Sequence, residues 1–89
     1  MKKYTVLIAK SVQKQINKLP VDVRTRVDEK IQQLSDDPRP TGAIKLKGSD
    51  NQYRIRVGDY RIRYSVHDET VVVQILQCGH RRDIYRDKG

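Results

Sequence analysis

The sequence predicts an α+β fold, one sheet packed on one helical layer, and three observations carry that reading. Apolar residues recur at helical spacing through residues 12–34. Arginine then alternates with Tyr, Ile or Val on both sides of Gly58-Asp59. Between these two patterns lies Asp36-Asp37-Pro38-Arg39-Pro40-Thr41-Gly42, which cannot continue a helix. At 89 residues the chain is expected to be a single domain spanning 1–89, large enough for one core and too small for two. It has no Trp or Phe, and 34% of its residues are charged, so Val, Ile, Leu and Tyr must supply the interior.

Residues 4–9 are β-branched and apolar enough for an N-terminal strand, with Lys2 and Lys3 exposed before it. Ser11 is the expected N-cap of a first helix in which Val12, Ile16 and Leu19 share a face and which Pro20 ends. A second helix over residues 21–35 carries Val23, Val27, Ile31 and Leu34 on one face, with Arg24, Arg26, Asp28, Glu29 and Lys30 largely on the others. Together they make a two-helix hairpin. A three-stranded antiparallel meander follows, over residues 52–57, 60–67 and 71–78, and Gly79 then releases the chain into a short C-terminal helix or turn.

The first meander turn sets the faces. Gly58 supplies the positive φ of a two-residue hairpin loop, which pairs Val57 with Tyr60, Arg56 with Arg61, Ile55 with Ile62 and Arg54 with Arg63. A second loop at Asp68-Glu69 pairs Val66 with Val71, Tyr64 with Val73 and Ile62 with Ile75, so apolar again meets apolar. The apolar face packs on the helices, taking Tyr53, Tyr60 and Tyr64 with it, and the opposite face is left open. By the same register Cys78 lies beside the Gly58-Asp59 turn, and residues 80–86 emerge near Arg56 and Arg61. His67 falls in the second turn, as a solvated residue.

The open face carries two directly opposed arginine pairs. Like charges across a strand pair are disfavoured, and at roughly 5.5 Å each pair costs about 0.8 kcal/mol in water and several times more where partly desolvated. A polyanion relieves that repulsion. The bland alternative is a solvated face whose long side chains splay apart. The net charge of +8 points the same way, toward nucleic acid, an acidic protein or an anionic surface. Residues 5–9 are too short and too soon followed by Lys10 for a membrane span or a signal-peptide core, so no membrane partner is expected. The single Cys78 has no disulfide partner, which fits a cytoplasmic chain and a small buried residue at a strand end.

Guanidiniums are planar, permanently charged and able to grip two phosphate oxygens at once. Cleavage of RNA by its own 2′-hydroxyl needs such groups aimed where charge develops, together with a proton acceptor and donor, for which His80 and Tyr85 are the titratable candidates. The acidic residues are scattered at turns or interleaved with arginine, without the spacing of a metal site. No Gly-rich phosphate loop or nucleophile elbow is present, so neither a metal nor an organic cofactor is expected.

Three segments taken together, Lys45-Leu46-Lys47-Gly48, the hairpin from Tyr53 through Tyr64 and Gly79-His80-Arg81-Arg82-Asp83-Ile84-Tyr85, resemble the RelE/ParE toxin superfamily, and the helical start agrees over nearly the whole chain. The resemblance implies the toxin of a toxin–antitoxin pair, of the RelE type: a metal-independent endoribonuclease that cuts mRNA in the ribosomal A site by 2′-hydroxyl attack. The alternative is ParE-like, non-enzymatic inhibition of DNA gyrase. Its implied partners are a cognate antitoxin, in a hetero-oligomeric complex, and the ribosome with its mRNA. The catalytic set it implies is Arg54, Arg56, Arg61, Arg81 and Tyr85, with Lys45, Lys47, Arg63 and Arg82 as further RNA contacts. Arg54 and Arg56 stand where RelE-type toxins often carry lysine, and arginine does not readily release a proton. A general-base role therefore passes to Tyr85 or His80, or gives way to electrostatic stabilisation by Arg61 and Arg81.

Overall fold

The computed structural model describes residues 3–80. Strand β1 (Thr5–Ile8) is followed by helices α1 (Lys10–Asn17) and α2 (Val21–Asp36), a two-residue strand β2 (Ile44–Lys45), and strands β3 (Gln52–Val57), β4 (Tyr60–His67) and β5 (Val72–His80). The five strands form one sheet in the order β1-β5-β4-β3-β2, in which β1 lies parallel to β5 and the other neighbours are antiparallel. No helix among the described residues is long and apolar enough to cross a membrane.

The helices form where periodicity places them. Val12 and Ile16 of α1 and Val27, Ile31 and Leu34 of α2 are buried against Ile55, Val57, Ile62, Tyr64, Val66, Val73, Ile75 and Cys78 of the sheet. α1 lies on β5, whereas α2 reaches β1 and β3. Pro20 sits at the N-cap of α2, where its fixed φ of −54° suits the entry and its carbonyl accepts from Arg24 N at 2.8 Å. Ser11 is not the cap of α1. Ala9, at φ −65° and ψ 154°, turns the chain straight from strand into helix, its carbonyl accepts from Gln13 N at 2.9 Å, and Ser11 is already helical.

The first hairpin has the predicted register, Arg56 opposite Arg61 and Arg54 opposite Arg63. Gly58 adopts φ +60° while Asp59 stays negative, the pattern of a mirror-image turn with glycine at its first central position.

The second hairpin departs from expectation. Its loop covers residues 68–71, so Val66 faces Val73 and Tyr64 faces Ile75, two residues later than predicted. Val71 enters the left-handed region at φ 57° to close that loop. Leu76 is then the extra residue of a β-bulge, since Tyr64 pairs with Ile75 but Arg63 with Gln77. The two-residue shift leaves parity unchanged, whereas the bulge reverses it, so Ile62 faces Cys78 rather than Ile75, and β5 runs on through Gly79 to His80. Cys78 accordingly lies inside the strand, and His80 stands beside the Gly58-Asp59 turn. Gly79 does not release the chain. His67 ends β4 rather than floating in a turn, half-buried, with its Nε2 2.9 Å from Ser65 Oγ. The expected C-terminal helix or turn lies outside the described residues.

Candidate functional site

The arginine face is built on β3 and β4. Arg54 and Arg56 of β3 stand directly opposite Arg63 and Arg61 of β4, and opposed residues in an antiparallel pair share a face. All four side chains are therefore committed to one side of the sheet. The prediction of an open face fails at Arg61, which is only 9% exposed, and at Ser65, only 4% exposed. The reason is topological: β4 is the central strand, flanked on both sides, so its side chains have no free sheet edge over which to turn into solvent. Arg54 and Arg63 are half-buried. Arg56 is exposed and donates from Nε to the Gly58 carbonyl at 3.3 Å.

Burial raises the electrostatic stakes of such a cluster, because a guanidinium in low dielectric acts more strongly on any anion that reaches it. Arg63 Nε is buried and finds no hydrogen-bond acceptor among the described residues. A phosphate oxygen would satisfy it. Gly79 faces Arg61 across the β4–β5 pair, so no side chain from that register position stands over the most buried guanidinium.

The remaining predicted residues divide. Arg81, Arg82 and Tyr85 lie outside the described residues. His80 is opposite Tyr60, and their rings meet edge to face at 5.4 Å. Tyr60 in turn pairs with the buried Val57, so His80 belongs by register to the helix-side face and not to that of Arg61. Lys45 pairs with Tyr53 and shares its face, whereas Ile44 pairs with Arg54 and takes the arginine side. Lys47 is exposed in the loop after β2. Sequence reasoning missed Ile44, which is 51% exposed next to Arg54, because a two-residue strand has no periodicity to read.

Two other titratable groups belong to the core. The Tyr64 phenol is pushed up to about 12 by burial, and its hydroxyl donates to the Pro38 carbonyl at 2.7 Å. Burial likewise pushes the Cys78 thiol up to about 11, and its backbone N–H donates to Gln15 Oε1 at 3.0 Å. Such a thiol is a poor nucleophile. Among the described residues no three of His, Cys, Asp and Glu gather into a metal-binding group.

A family model described as the ParE toxin of the type II toxin–antitoxin system parDE matches residues 4–85. The toxin RelG of Mycobacterium tuberculosis is 33% identical over 84 residues, covering 93% of this chain and 97% of the relative. The mRNA interferase toxin RelE of Escherichia coli is 36% identical over 70 residues, covering 76% and 73% respectively. Among solved structures, the archaeal RelE–RelB complex from Pyrococcus horikoshii contains a chain superposing with a TM-score of 0.80 at 37% identity, over 89% of this chain and 96% of that one.

Proposed function

This chain belongs to the ParE toxin family of type II toxin–antitoxin systems, as a RelE-like toxin, and we propose that it cuts mRNA in the ribosomal A site. The observation that carries the reading is the placement of Arg61, nine-tenths buried at the centre of the sheet with three further arginines on its face. That arrangement suits charge that develops on a phosphate better than it suits a loosely held surface ligand.

In the proposed reaction the 2′-hydroxyl of the RNA gives up its proton to water and attacks the adjacent phosphorus, the bond to the 5′-oxygen breaks, and that oxygen takes up a proton from water, leaving a 2′,3′-cyclic phosphate and a 5′-hydroxyl. The nucleophile comes from the substrate, so the protein supplies charge and orientation and needs no metal. Arg61 and Arg81 stabilise the phosphorane-like charge, with Arg81 near the leaving oxygen, and Arg54 and Arg56 hold the flanking backbone. Tyr85 orients the reacting nucleotide, and Lys47, Arg63 and Arg82 contact the RNA further out. With His80 set on the face of Tyr60, electrostatic stabilisation is favoured over acid–base work by that imidazole.

The Pyrococcus horikoshii relative is a complex with RelB, which supports a cognate antitoxin as this chain's partner. An acidic or amphipathic antitoxin segment that covers the arginine face would neutralise the toxin, in the cytoplasm where its substrate lies. The test incubates purified protein with naked mRNA, with programmed ribosomes whose A site is empty, and with gyrase plus supercoiled DNA. Rapid cutting on ribosomes alone is expected, because the ribosome supplies in-line geometry. Gyrase inhibition with intact mRNA would overturn the ribonuclease reading in favour of a gyrase-directed toxin.

A further inference from the structure

The arginine face does not stop at the edge of the sheet. Strand β2 covers β3 only at Tyr53 and Arg54, so along residues 55–57 no further strand among the described residues lies beside it. A pocket of about 410 Å³ opens there, and its lining joins Arg54, Arg56 and Arg61 of the sheet to Thr41 and Gly42 of the linker and to Lys30 of α2. Lys30 is half-buried against this edge. Arg26, one helical turn earlier on the same side of α2, brings Nη1 to 3.9 Å from the position a Cβ would occupy at Gly58, the turn next to Arg56.

Arg26 and Lys30 are like charges at i, i+4, a spacing that mildly destabilises a helix. Among the described residues neither joins an ion pair. Among the described residues no carboxylate lines this pocket, and an acidic neighbour of the surface, Asp59, lines the adjoining hollow with Arg26. Gly42, at φ +100°, has no atom of the described residues beyond its chain neighbours within 4 Å of where a Cβ would lie, so no described side chain crowds the linker side of the pocket there.

We propose that Lys30 and Arg26 carry the phosphate-binding surface from the sheet onto α2, so that the RNA backbone crosses the open edge of β3 and seats a phosphate away from the cut beside Lys30. The inference rests on the ribonuclease reading. Lys30 and Arg26 are positioning residues: they hold the strand in register while the sheet arginines face the reacting phosphate.

The test is equilibrium binding of a short mixed-sequence oligoribonucleotide, made uncuttable with 2′-deoxyribose, over a range of salt concentrations. Lys30→Met keeps the apolar stem and removes the charge. It is expected to weaken binding several-fold and to flatten the slope of log K against log salt by roughly 0.7, the release expected for one single-strand phosphate contact. Lys30→Arg is expected to restore both, and Arg26→Gln, at an exposed site, to act in the same direction as Lys30→Met. On programmed ribosomes Lys30→Met is expected to raise KM while kcat holds. Wild-type affinity and slope in folded Lys30→Met and Arg26→Gln would overturn this inference alone, as would a loss confined to antitoxin binding. A wild-type protein that neither binds nor cuts RNA would overturn the ribonuclease reading and this inference with it.

Discussion

Arg39 closes on Asp68 through two hydrogen bonds, Nη2 to Oδ2 at 2.8 Å and Nη1 to Oδ1 at 3.3 Å, and so ties the linker after α2 to the loop between β4 and β5. The pair is the hub of a larger clamp. Tyr4 donates its hydroxyl to Asp68 Oδ1 at 2.8 Å, and Arg39 Nε donates to Tyr53 Oη at 2.9 Å. Tyr53 stacks on Tyr64 with ring centroids 5.8 Å apart. The hydrogen bond that Tyr4 donates to the Asp68 carboxylate raises the Tyr4 pKa, and the same carboxylate raises that of Arg39. Two loops and the start of β1 are thereby held at one end of the sheet.

Both members of this ion pair remain partly exposed, at 41% and 57%, so its worth is modest despite the two-pronged geometry. A double-mutant cycle of Arg39→Ala and Asp68→Ala is expected to return a coupling of about 0.5 to 1 kcal/mol, measured by urea unfolding. Strict additivity would mean that the clamp adds nothing beyond its separate contacts.

Arg61 and Ile62 are neighbours in sequence with opposite expected effects. Arg61→Met is expected to abolish mRNA cutting and growth arrest while the protein still melts cooperatively, because the charge serves the substrate and the stem is kept. Ile62→Ala empties a fully buried position and is expected to cost about 2 to 5 kcal/mol. Undiminished toxicity in Arg61→Met would remove the central guanidinium from the chemistry.

Val71 holds φ 57°, a conformation that costs an L-residue roughly 1 to 2 kcal/mol and a β-branched one no less. Val71→Asn is expected to raise stability by about 1 kcal/mol, read as a higher denaturant midpoint at unchanged m-value. A lower midpoint would show that the packing of the half-buried valine outweighs the strain.

Stability is expected to fall at alkaline pH in two overlapping steps. Both Cys78 and Tyr64 titrate higher in the folded state than their ordinary values of 9.0 and 10.0, so each holds its proton in the fold after the unfolded chain has lost it. Their stabilising contributions are complete below the ordinary values and are lost as pH rises, through about 11 for Cys78 and about 12 for Tyr64. Cys78→Ala is expected to delay the onset of the decline from about 9 to about 10 in a pH series of thermal melts. An onset unmoved by that substitution would exclude the thiol as its source.

The α+β class, both helices and the whole first hairpin were legible in the sequence, since 3.6- and 2-residue periodicities and the φ demanded at Gly58 are local properties. The pairing of Arg56 with Arg61 and Arg54 with Arg63 follows from that one turn. The linker's Asp37, Pro38 and Arg39 were readable as a break but not as half of a clamp, because Asp68 is 29 residues from Arg39.

Register beyond the first turn was decided only in three dimensions. A four-residue loop closed by Val71 and a bulge at Leu76 each shift the pairing, and their sum moves His80 to the face of Tyr60 and sets Gly79 against Arg61. Neither device leaves a compositional mark, because a bulge is an extra residue of any type accommodated where packing on both faces permits it. The burial of Arg61 has the same origin. Its residue type and its face are properties of the local alternation, whereas its enclosure depends on β4 being the central strand, which only the assembled sheet determines.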